Sequence, residues 1–64
     1  SLKGPVRIFR HLKTQGLYRV CSSNAIMENT HKTFVVYQNI ETFEVWLRPK
    51  KEFYDGRFKE ISQK

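Results

Sequence analysis

Phe43, Val45 and Leu47 alternate with Glu44, Trp46 and Arg48, a period of two that places the two sets on opposite faces of a β-strand. The first set is the expected core face, which leaves Trp46 and Arg48 pointing outward. Phe34-Val35-Val36-Tyr37 is apolar at every position, as suits a strand central to a barrel. Tyr18 and Val20 share a face of an earlier strand, and so do Val6 and Ile8. Between Cys21 and Glu28 the pattern weakens. Ser22-Ser23-Asn24 is able to cap a helical turn through Ala25 and Met27, but eight residues are short for a helix, so a bent strand is expected.

Turn signals separate these segments at Gly16, Asn29-Thr30, Gln38-Asn39 and Asp55-Gly56. Pro49 ends the fourth strand because it has no N–H to continue a ladder, and its restrained φ opens a helical turn over Lys50 to Phe53. Asp55-Gly56 suits a tight turn of positive φ before a last strand over Arg57 to Ile61. The expected fold is all-β: a small five-stranded SH3-like β-barrel with a short helical turn before the last strand. Gly4-Pro5 closes a leader over residues 1–5, expected to be flexible; residues 6–61 form the single barrel, and 62–64 are a tail.

Composition narrows the function classes. A chain of 64 residues is one domain that buries only roughly 60 % of its unfolded surface, so it cannot wall in an enclosed substrate cleft and is expected not to be an enzyme. Nine aromatics, five Phe, three Tyr and one Trp, supply the core. Cys21 stands alone, which rules out an intramolecular disulfide and disfavours secretion. With no apolar run of bilayer length, the chain is expected to be soluble and cytoplasmic, with no membrane contact. Twelve Lys and Arg against six Asp and Glu leave a net charge of +6.

Phe9-Arg10-His11-Leu12-Lys13, Leu17-Tyr18-Arg19-Val20, Phe34-Val35-Val36-Tyr37, Val45-Trp46-Leu47-Arg48-Pro49 and Arg57-Phe58 follow one another along the chain. Together they resemble a family of short bacterial and phage proteins catalogued as a domain of unknown function. The resemblance runs from about Phe9 to Ile61, and its most specific parts are the aromatic-Arg-His opening and the later Trp-x-Arg-Pro. It implies an SH3-like barrel and no established activity. Met27 stands where that family often has a His, the loop after Tyr37 is about one residue shorter, and the stretch from Phe53 to Arg57 is cut to a tight turn.

His11, His31 and Cys21 have no metal-ligand spacing, so neither a metal nor another cofactor is expected. Cys21 with His11 is the one pair with nucleophilic chemistry, and no oxyanion-hole signature accompanies it. Arg10 and His11 point to opposite faces of a strand, so only one of them can share the surface of Trp46 and Arg48. The indole needs a cover, which is either this chain's own Lys50 or Lys51 stem or a partner. Arg7, Arg10, Lys13 and Arg19 come early and Arg48, Lys50, Lys51, Arg57 and Lys59 late; adjacent first and last strands would merge them into one basic patch. Cations interleaved with aromatics suit phosphate tracking and base stacking. The expected site is therefore Trp46, Arg48, Lys50, Arg10, His11, Arg57 and Tyr54, contacting nucleic acid, single-stranded or RNA. The alternative is a protein partner whose extended peptide enters the same aromatic groove. The chain is expected as a monomer or weak dimer.

Overall fold

A computed structural model describes residues 6–61; the leader over 1–5 and the tail over 62–64 lie outside it. The elements are β1 (Ile8–His11), β2 (Leu17–Ile26), β3 (Thr33–Asn39), β4 (Val45–Pro49), α1 (Lys50–Phe53) and β5 (Phe58–Glu60). They form one antiparallel sheet in the order β4-β3-β2-β1-β5. The five strands and the helical turn at Pro49 are those the sequence predicts. The Cys21–Glu28 segment is the bent strand: β2 carries register shifts between Val20 and Ser22 and between Ser22 and Ala25. Gly56 adopts φ 107°, a conformation open chiefly to glycine.

Three hairpin connections share one geometry. In His11–Gly16, Met27–Lys32 and Asn39–Glu44 the first residue donates its N–H to the C=O of the sixth. The fifth donates its N–H to the C=O of the first. That fifth residue takes a left-handed φ each time: Gln15 at 68°, His31 at 61° and Phe43 at 66°. None of the three is glycine, so each loop holds a local strain that the ladder on both sides must offset.

The core is a cluster of Phe9, Val35, Tyr37, Phe53 and Phe58, with Tyr18 and Val20 packed against it. Phe53 stacks on Phe58 with ring centres 4.2 Å apart and meets Phe9 edge-on at 5.0 Å. Tyr37 reaches Phe58 at 5.3 Å and Tyr18 at 5.2 Å. The short α1 exists to deliver Phe53, which is wholly buried, into this cluster. The sheet is rolled but open: β4 and β5 are its two ends, with no ladder between them among the described residues, yet Arg48 of β4 lies over the Phe58 ring of β5.

The expected core face of β4 is reversed. Phe43, Val45 and Leu47 are 69 %, 59 % and 58 % exposed. The reason is register. Val35 and Tyr37 are the buried residues of β3, and they stand opposite Arg48 and Trp46. Directly opposed residues share a face, so Trp46 and Arg48 lie on the core side and Val45 and Leu47 on the outside. Trp46 remains half exposed because β4 ends the sheet.

Candidate polyanion cleft

Register decides which of the two adjacent side chains Arg10 and His11 joins the site. His11 pairs with Phe58 and sets its ring 4.8 Å away, perpendicular to it, on the core side. Arg10 pairs with Leu17 and Lys59 on the outer face and donates to the Gln15 C=O at 3.3 Å. Arg10 is therefore separated from the other expected residues.

His11, Leu12, Lys13, Arg48 and Arg57 line an open cleft of about 540 Å³. Two hairpins and the β5 turn build it: β1 ends in His11, the following turn carries Lys13, β4 supplies Arg48, and Arg57 leads into β5. The backbone ties this together, because Leu12 N–H donates to the Arg57 C=O at 3.0 Å. Pairing of the first and last strands brings Lys13, alone of the early basic residues, into one cleft with Arg48 and Arg57; Arg7 and Arg19 are engaged with Glu60 and Gln38 instead.

Arg48 is oriented by contacts that leave its charge unbalanced. Its guanidinium lies 5.6 Å from the centre of the Phe58 ring, and its Nε donates to the Tyr37 hydroxyl at 3.4 Å. A cation over an aromatic face is attracted by the ring quadrupole and keeps unused donors free. Arg57 is held by Glu52 and Asp55, each at 3.3 Å, so part of its charge is balanced locally. Desolvation lowers the His11 pKa from its ordinary value, and the positive charges of Arg48, Lys13 and Arg57 lower it further. Thr14 N–H also donates to His11 Nδ1 at 3.3 Å, which places the neutral ring's proton on Nε2. The imidazole thus senses a concentrated positive field, and among the described residues no carboxylate lines the cleft.

Trp46 shares the core-side face of β4 with Arg48, two residues along, and is 51 % exposed. The cations placed over rings among the described residues cover Phe9, by Arg7, and Phe58, by Arg48. Lys50, an expected cover for the indole, instead donates its Nζ to Asn24 Oδ1 at 2.9 Å. Lys50 and Tyr54 line a second open cleft, of about 640 Å³, with Lys32, Thr33, Pro49, Lys51 and Glu52. Tyr54 also packs edge-on against Phe53 and Phe9. Of the seven expected residues, the structure brings His11, Arg48 and Arg57 into one cleft with Trp46 on the same face of β4. Lys50 and Tyr54 form another group. Lys13 was not among the expected site residues; its position two places after His11, in a hairpin turn, is the signal that could have found it.

Cys21 is exposed on β2, beside the bulge, and the His11 Nδ1 is taken up by Thr14. Among the described residues no three or more of His, Cys, Asp and Glu gather as a metal ion requires. None of the described helices is long and apolar enough to cross a membrane.

No curated protein and no solved structure matches the chain. Residues 7–60 match a family described as protein of unknown function (DUF1653), a span that contains every strand and both clefts. The chain belongs to the DUF1653 family.

Proposed function

We propose that this protein is a non-enzymatic binding module whose His11, Lys13, Arg48 and Arg57 cleft takes the phosphates of a nucleic acid, single-stranded or RNA, with Trp46 as a stacking surface beside it. The observation that carries the reading is the convergence of three permanent cations and an imidazole on one open cleft that no carboxylate lines among the described residues. Such a cleft attracts a polyanion by releasing its condensed counterions. An exposed indole next to it suits an unpaired base, which offers its whole face for stacking. Arg48 is the anchor, since its ring contact and its bond to Tyr37 orient the guanidinium before a ligand arrives.

The test is an oligonucleotide titration across a salt series. The logarithm of affinity should fall against the logarithm of salt with a slope of about −2 or steeper for a single strand. Arg48→Ala should make that slope shallower by about one, the loss of one phosphate contact. Affinity that is absent at low salt, or indifferent to salt, would refute the reading. Capture of an extended acidic peptide by the same cleft, with no oligonucleotide binding, would replace the nucleic acid with a protein partner.

A further inference from the structure

β4 is an end strand, and four of its residues and flanks, Phe43, Val45, Trp46 and Leu47, are each at least half exposed. Monomeric proteins usually blunt such an edge with charge, a bulge or a cover. This one presents a regular row of backbone groups. Asn39 N–H donates to the Glu44 C=O, and Ile40 N–H donates to the Leu17 C=O. Hydrogen-bonded and non-bonded pairs alternate along an antiparallel ladder. The β3–β4 register then directs the backbone of Trp46 and Arg48 toward β3 and that of Val45 and Leu47 toward the open edge. Pro49 falls at an outward position, where its missing N–H costs the β3 ladder nothing.

We infer that the open edge of β4 pairs with β4 of a second copy of this chain, antiparallel, with Trp46 opposite Trp46 on the two-fold axis. Three features of the edge select this occupant and this register. Val45 stands opposite Leu47 of the second copy, so each outward N–H meets an outward C=O, and symmetry makes four such bonds. Glu44 stands opposite Arg48 of the second copy, a carboxylate against a guanidinium on the same face. Phe43 stands opposite Pro49 of the second copy, where the proline lacks an N–H and the Phe43 N–H is already spent on the Asn39 C=O. A shift of one residue per strand in one direction places Val45 against Val45, moves Glu44 away from Arg48 to face Trp46, and leaves the Leu47 C=O facing the Phe43 N–H that is already spent on Asn39. A shift in the other direction places Leu47 against Leu47 and leaves the Val45 C=O facing Pro49 without a donor. The edge is therefore complementary to itself in one register in particular.

The pairing joins two rolled sheets edge to edge and sets both copies' Trp46 and Arg48 on one face, since opposed residues share a face. It does not rest on the nucleic-acid reading: the ladder is made by the backbone of Val45 and Leu47, neither of which lines the cleft, and of the cleft's lining residues it shares Arg48 alone, opposite Glu44.

The full chain with Cys21→Ser, which removes the exposed native thiol, should show a concentration-dependent dimer by sedimentation equilibrium at about 10 µM to 1 mM, the range for a short ladder. Val45→Lys, at an exposed position, should raise the dissociation constant at least about tenfold while leaving the circular dichroism spectrum unchanged. Trp46→Cys in the same background should cross-link under mild oxidation, because opposed non-bonded Cα atoms lie about 4.5 Å apart, within disulfide reach. Leu47→Cys should not, since its diagonal partner is about 7–8 Å away. A chain monomeric over the whole range, or cross-linking at Leu47 in preference to Trp46, overturns the inference. So does a persistent monomer whose β4 amides become protected only on adding an extended peptide.

Discussion

The guanidinium of Arg48 lies 5.6 Å from the centre of the Phe58 ring, so a strand at one end of the sheet rests its charge on the strand at the other. This contact spans the opening of the roll and links the cleft to the aromatic core. Arg48→Lys keeps the charge but loses the planar group that stacks on Phe58 while donating to Tyr37. Oligonucleotide affinity in the salt series should order as wild type, then Lys, then Ala. Stability in urea should fall by about 0.5–1 kcal/mol for the Ala variant.

His11 gives a pH dependence with a definite sign. Its folded pKa is lowered, chiefly by desolvation and then by Arg48, Lys13 and Arg57, from the ordinary 6.5. Between the folded value and about 6.5 the unfolded chain binds more protons, so stability rises with pH through that window and levels off above it. As pH falls below about 6.5 the protein should lose stability until His11 is itself protonated in the fold; His11→Gln should flatten this part of the profile in urea titrations. A bound polyanion neutralises the same field and should raise the His11 midpoint in an NMR titration. By linkage, oligonucleotide affinity should increase as pH drops through it.

Phe43 has φ 66° with its side chain 69 % exposed, so it carries backbone strain and returns little burial. Phe43→Gly relieves a penalty of about 1–3 kcal/mol against an entropic cost of about 0.5–1. The urea midpoint should rise, corresponding to a net gain of about 0.5–1 kcal/mol. A loss of stability would mean that the ring is held by contacts its exposure does not reveal.

The two large aromatics Phe53 and Trp46 should respond oppositely to truncation. Phe53 is wholly buried among Phe9, Tyr37 and Phe58. Phe53→Ala should cost about 3–5 kcal/mol, enough to unfold a domain this small. Trp46→Ala should leave the fold standing, as thermal denaturation followed by circular dichroism will show, while weakening single-strand binding.

Period-two patterning made the strands legible, and Pro49, Asp55 and Gly56 marked the helical turn and the turn that leads into the last strand. What the pattern could not supply was the sign of β4. An alternating strand at a sheet edge is equally regular whichever face turns inward. The choice comes from β3, where burial of Val35 and Tyr37 carries Arg48 and Trp46 to the core side. Arg48 tolerates that side because its guanidinium rests over the Phe58 ring, donates to the Tyr37 hydroxyl and lines an open cleft. The same dependence on register decided between Arg10 and His11. Lys50, expected in the same site as Arg48 or as a cover for Trp46, opens α1 and donates to Asn24 instead.

The most direct test of the cleft is a chemical-shift map of isotope-labelled protein titrated at low salt with single- and double-stranded oligonucleotides. The account predicts that His11, Lys13, Arg48, Arg57 and the Trp46 indole N–H move together and saturate together, more strongly with the single strand. Shifts that leave these five unmoved, or that gather instead at Lys32, Lys51 and Tyr54 in the second cleft, would contradict it.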